Sequence, residues 1–139
     1  MHLVVRKPRP PAQPRIGVVE RVVVRGKNGV VSVLARIDTG ATRTSLDTDL
    51  AERLGLGPVL RTVRIRAAAA ERPEIRPVVL MQIRIRGREF SVAAAIADRK
   101  DMRYRMIVGM DVLRASPFLI DPAKGIAAGA RRSMRPRHR

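Results

Sequence analysis

The chain's best candidates for chemistry are its carboxylates, because it offers little else. It has no cysteine, and its two histidines, His2 and His138, lie near its ends. Disulfides and thiolate metal sites are therefore excluded, and no protein-built zinc site or other cofactor is expected. Ser45 has no histidine base in the central part of the chain, which disfavours a serine hydrolase. Among the acidic residues Asp38 stands out. It ends an otherwise apolar run and is followed at once by Thr39, Gly40 and Ala41. An Asp at such a place either starts a turn, as Asp-x-Gly often does, or is held there to react. The other carboxylates have plainer readings. Asp111, after Gly109-Met110, reads as a helix N-cap or a salt-bridge partner, and Asp121, before Pro122, as a turn residue. Asp98 and Asp101, interleaved with Arg99, Lys100 and Arg103, read as surface ion pairs.

Short strands must position Asp38. Residues 18–25 and 30–37 are β-branched runs separated by Gly26-Lys27-Asn28-Gly29, and Asn-Gly supplies the positive φ angles of a tight hairpin that ends at Asp38. The period then changes over residues 47–56. Leu50, Ala51 and Leu54 fall on one face, Asp47 or Thr48 can cap the start, and Gly55 or Gly57 can stop a short helix. Residues 62–66 and 79–86 alternate polar and apolar side chains, and Arg86-Gly87-Arg88 turns the chain into a further alternating run at 89–96. The Ala-rich segment 67–74 between them is compatible with an extended strand or a helical turn. Met106-Ile107-Val108 is a short buried run ended by Gly109, with one helical turn at 110–114 before a last run at 117–120. Strands of this length and spacing imply a closed or sandwich-like β architecture. Phe90, Tyr104 and Phe118 are the only aromatic residues, so the core must be aliphatic.

Ile37-Asp38-Thr39-Gly40-Ala41, followed by Thr42-Arg43-Thr44-Ser45-Leu46 and a short helix, resembles the active-site strand and turn of retropepsin-like aspartic peptidases. Met106-Ile107-Val108-Gly109-Met110-Asp111-Val112-Leu113 resembles the apolar-apolar-Gly element that packs beneath that turn. The resemblance runs over residues 22–122. A narrower one is carried by Arg76-Pro77-Val78-Val79, by Asp98-Arg99 through Met102-Arg103-Tyr104, and by Phe118-Leu119-Ile120-Asp121-Pro122. It is similar to the bacterial and archaeal subgroup associated with ATP-grasp glutamate ligases, whose members are often labelled ATP-dependent zinc proteases. Neither a Gly-rich phosphate loop nor a His-Glu-x-x-His motif is present to support either adjective.

The resemblance implies a mainly β, retropepsin-like closed barrel with one or two short helices, working as a homodimer. Each subunit would supply one Asp38; the two carboxylates would share a proton, one activating water while the other donates to the scissile carbonyl. By the same likeness Thr39 would hydrogen-bond across the dimer axis, Gly40 would let the backbones approach, Ala41 and Thr42 would line the substrate floor, and Ile107, Val108 and Gly109 would pack underneath. The chain departs from viral members at two places. Segment 67–74, in the position of the Gly-rich viral flap, has no glycine, and the Pro-rich basic ends are poor strands for an interleaved dimer sheet.

The formal net charge is +17, and all but four of the 29 basic residues are arginine. Such a surface attracts polyanions, and arginine grips carboxylates bidentately. The peptide or protein substrate implied by the resemblance could thus be acidic or glutamylated, with nonspecific polyanion binding by the tails. Residues 1–15 read as a basic arm, 16–123 as the retropepsin-like domain and 124–139 as a basic tail. No apolar run approaches the roughly 18 residues of a membrane span, and the first eleven residues have no signal-peptide core, so no membrane association and a cytoplasmic location are expected. Two other readings stay open. One is a nucleic-acid or ribosome-associated module bound through the phosphate backbone, since three aromatics leave little to stack on. The other is a retropepsin-like dimerisation or peptide-binding scaffold without catalysis.

Overall fold

The structure, a computed structural model, describes residues 13–66 and 72–124. A two-residue strand, β1 (Arg15–Ile16), leads into the hairpin of β2 (Val19–Gly26) and β3 (Gly29–Ile37), in register from Val19↔Arg36 to Gly26↔Gly29. The turn differs in detail from the Asn-Gly expectation. Positive φ falls on Gly29 (139°) and not on Asn28, whose backbone N–H donates to the Leu54 carbonyl at 3.1 Å. The hairpin tip is thereby tied to the end of α1 (Thr48–Leu54). That helix is capped as its sequence suggests: the Asp47 side chain accepts from the Asp49 amide, and Gly55 closes it in the left-handed conformation.

The remaining strands close the sheet. β3 runs parallel to β8 (Met106–Val108), β8 antiparallel to β4 (Ser45–Asp47), β4 parallel to β7 (Arg88–Ala97), and β7 antiparallel to β6 (Glu74–Ile85). β6 returns to β2 through Val23↔Arg84, Val24↔Ile83 and Arg25↔Gln82. The result is the closed, mainly β barrel expected from the sequence, built of six strands with two short helices. β5 (Arg61–Ile65) lies outside the ring as the second arm of a hairpin with β6. β6 begins at Glu74, five residues before the alternation at 79–86. Pro77 is accommodated opposite Thr62, where the partner strand is the outermost one of the sheet. The β6–β7 turn uses left-handed φ at Arg86 (51°) and Gly87 (76°), and Arg86 donates from Nε to the buried Glu20 carboxylate at 2.7 Å.

Of the Ala-rich segment, residues 67–71 lie outside the described residues, as do residues 1–12 and 125–139 of the two basic ends. Arg15, assigned to the arm from sequence, pairs in β1 with Leu119 of β9 (Leu119–Ile120), which follows α2 (Met110–Ala115). Lys124, assigned to the tail, accepts at its carbonyl from the Val18 amide. Among the described residues no helix is long and apolar enough to cross a membrane.

The barrel interior is aliphatic, with Ile16, Val22, Val24, Leu46, Met81, Ile85, Met106 and Val108 fully buried. Phe90 and Phe118 meet edge to face at its margin, with centroids 6.0 Å apart. Leu46 occupies the middle of β4, the strand that joins the Asp38 turn to α1. Leu46→Ala should therefore cost about 2–5 kcal/mol, read as a lower urea midpoint with an unchanged slope.

Candidate active site

Asp38 is the first residue beyond β3, and its position is set by backbone bonds on both sides. Its amide donates to the Val108 carbonyl at 2.9 Å, and its own carbonyl accepts from the Ala41 amide at 3.2 Å. The half-buried carboxylate accepts from the Gly40 amide at 2.9 Å. A Cβ on Gly40 would sit 3.2 Å from that same oxygen, so a side chain there would crowd the carboxylate. Thr39, Gly40 and Thr42 are exposed and Ala41 is half-buried, so the turn faces outward at the end of the barrel.

What lies beneath the turn is a tight joint between two distant segments. The amides of Met110 and Asp111 donate to the carbonyls of Ala41 and Thr42. Thr44, with no exposed surface, donates from Oγ1 to Asp111 Oδ1 at 2.7 Å and accepts from the Gly109 amide at 3.1 Å. Its own amide donates to Asp111 Oδ2 at 3.0 Å. Gly109 fits because it has no side chain: a Cβ would lie 2.7 Å from the Arg43 carbonyl carbon and 2.9 Å from the Ala41 oxygen. Ile107 and Val108, the apolar pair before it, lie in β8 beside β3, with Ile37↔Val108 in register. Asp111 is thus neither the N-cap, a position Gly109 occupies, nor a partner in any ion pair among the described residues. It clasps the turn. Sequence reasoning missed Thr44 for this role, because a lone threonine 67 residues before its aspartate partner carries no local signal of it.

A further carboxylate, this one fully buried, braces the flank. Asp47 accepts from the Arg99 amide at 2.7 Å through Oδ1, and Arg105 pairs with its Oδ2 at 3.2 Å. Arg99 is the clearest correction to the surface reading of the loop between β7 and β8. It is only 7% exposed, and its Nε donates to the Tyr104 carbonyl at 3.0 Å. Burial pushes its guanidinium below the ordinary arginine range; Arg76 adds repulsion, which attraction from Asp47 and Asp38 opposes. Asp98 does pair at the surface, with Lys100 at 3.9 Å, and Asp121 accepts from the Ala123 amide as a turn residue.

An open cleft of about 490 Å³ extends from the turn residues Gly40, Ala41 and Thr42 across Ile107 to the β5 side chains Arg64 and Ile65. Arg43, Ser45, Arg66, Arg76 and Arg99 complete its described lining. Among the described residues no group of three or more His, Cys, Asp or Glu is placed to hold a metal.

A six-stranded barrel whose Asp-Thr-Gly turn rests on an apolar-apolar-Gly element defines the retropepsin-like aspartic protease fold. The family model described as "gag-polyprotein putative aspartyl protease" matches residues 25–115, and the chain belongs to that family. Solved structures share the fold. A Legionella pneumophila protein of unknown function is 18% identical, with a TM-score of 0.54 over 81% of this chain and 95% of that one. The EIAV protease complexed with an inhibitor is 20% identical, with a TM-score of 0.50 over 76% and 90% of the two chains. No curated protein matches.

Thr44→Val should expose the weight of the joint. It preserves shape but strands the buried Gly109 amide and removes the bond to Asp111 Oδ1, a loss of about 1–3 kcal/mol in urea unfolding. Thr44→Ser, which keeps the hydroxyl, should lose less than Thr44→Val.

Proposed function

We propose that the protein is an aspartic endopeptidase that hydrolyses peptide bonds as a homodimer, with Asp38 of each subunit forming a shared-proton dyad. The observation that carries this reading is the Asp38 carboxylate, held by the Gly40 amide on an outward-facing turn that the buried Thr44, bonded to Asp111, fixes from below. The chain has a single Asp-Thr-Gly sequence, so the second carboxylate must come from another copy. In the dyad two carboxyls about 3 Å apart hold one proton between them. The ionised one takes a proton from water as it attacks the peptide carbonyl, and the protonated one donates to the carbonyl oxygen. Thr39 would bond across the axis, and Gly40 would permit the approach of the two turns. The narrower resemblance to the subgroup associated with glutamate ligases fits a cytoplasmic enzyme acting on acidic or glutamylated protein, with no metal or cofactor in the chemistry.

The homodimer should appear in light scattering of the full chain at micromolar concentrations; a strict monomer that still cleaves peptides would refute the shared dyad. Activity against pH should be bell-shaped with an optimum on the acid side of neutrality. It falls at low pH when both carboxyls are protonated and at high pH when both are ionised. Asp38→Asn should reduce hydrolysis of a mixed peptide library by about 10²- to 10⁴-fold while the dimer persists, because the change is nearly isosteric and relieves like-charge repulsion. A chelator should have no effect. Cleavage that survives the substitution would leave Asp38 as a turn residue only.

A further inference from the structure

We infer that the cleft beside Asp38 contains a subsite for a substrate side-chain carboxylate, formed by the hydroxyl of Ser45 and the guanidinium of Arg99. The inference rests on the peptidase reading for what occupies the cleft, but its two residues are identified independently of it. Ser45 lies in β4, is 5% exposed, and its Oγ has no hydrogen-bond partner. Buried hydroxyls are nearly always satisfied, so one without a partner, in a residue that lines a cleft, marks a place where a ligand can supply the missing bond. Arg99 lines the same cleft and, although 93% of its surface is covered on the 7% exposure already noted, it forms no ion pair among the described residues. Only its Nε is engaged, by the Tyr104 carbonyl.

The surroundings say which ligand. No carboxylate is among the described residues that line the cleft, while Arg43, Arg64 and Arg66 add positive charge to it. Arg76 also lines it but is held by Glu74 at 2.7 Å, which leaves Arg99 as the buried cation without an ion-pair partner, attracted by Asp47 and Asp38 but bonded to neither through its guanidinium. Desolvation and the neighbouring Arg76 both act against the charged form of Arg99, and an incoming anion relieves both. A carboxylate suits this pair: one oxygen can accept from the guanidinium while the other accepts from the hydroxyl. Ile65 and Ile107 provide apolar walls for the methylene groups of a glutamate. The positive cleft also concentrates acidic segments before any contact forms.

The test compares peptides that differ at one position among Glu, Gln, Leu and phosphoserine, placed in turn at each site flanking a cleaved bond. Cleavage is followed with the full-length protein, and binding is followed by fluorescence anisotropy with the Asp38→Asn protein. At one flanking position Glu should be preferred over Gln by about 10-fold or more, the size of a charge-assisted hydrogen bond. Arg99→Gln should collapse that ratio toward one, and Ser45→Ala, which removes only the unpartnered hydroxyl and should fold normally, should reduce it several-fold. If Arg99→Gln does not fold, Ser45→Ala and Arg99→Lys carry the comparison. Equal handling of Glu and Gln at every position, or a Glu preference that both substitutions leave intact, overturns the subsite. Stronger binding of phosphoserine than of Glu reassigns it to phosphate and overturns the carboxylate assignment. If nothing is cleaved yet the Asp38→Asn protein still discriminates Glu from Gln through Arg99 and Ser45, the subsite stands and the peptidase reading fails.

Discussion

The hydroxyl of Thr44 is the interaction on which the site depends. It bridges segments 65 residues apart in sequence, accepting from the Gly109 amide and donating to Asp111. Thr44 and Gly109 are buried, so without this bond the Gly109 amide would be left without a partner. Since Asp111 also takes the Thr44 amide and α2 begins at the same point, a single buried residue joins the turn, the end of β8 and the start of the second helix. Gly109 makes this possible by leaving room for the Arg43 and Ala41 backbone where a Cβ would stand.

With the turn supported from below, its outer face is free of structural duty. Asp38 is held by the Gly40 and Ala41 amides and the Val108 carbonyl, and Thr39 and Gly40 stay exposed. A carboxylate poised on a rigid platform and only half covered is what a shared dyad requires, because the partner's turn has to reach it without first rearranging the barrel. The flank is braced separately: Asp47 holds the loop after β7 through the Arg99 amide and Arg105, which keeps the Arg99 guanidinium at the cleft. The turn and the cleft thus rest on different carboxylates, Asp111 for the first and Asp47 for the second.

Local rules made much of this legible. The β2–β3 hairpin, the Asp47 cap of α1 and the strand runs near β6 and β7 follow from turn residues, capping and alternation, all short-range effects written in adjacent residues. Asp38 was conspicuous because an apolar strand ended in a carboxylate. β4 was not seen, since its three residues are all buried and show no alternation. The pairing of Thr44 with Asp111 and the burial of Arg99 were hidden for the same kind of reason. Each is decided by which strand lies next to which, as in the β4–β8 and β4–β7 registers, and no local pattern encodes that. Arg99, between Asp98 and Lys100, looks like any surface charge until the Asp47 carboxylate is seen to pull its backbone inward.

The central claim is that one reactive centre needs Asp38 from two chains, and subunit mixing tests it most directly. Wild-type and Asp38→Asn chains would be refolded together at equal amounts, so that pairs form at random, and peptide hydrolysis compared with wild type at the same total concentration. If both carboxylates are required, only the pairs with two wild-type chains work, and activity should fall to about one quarter. Activity of about one half would mean that each subunit acts alone, and would contradict the shared dyad.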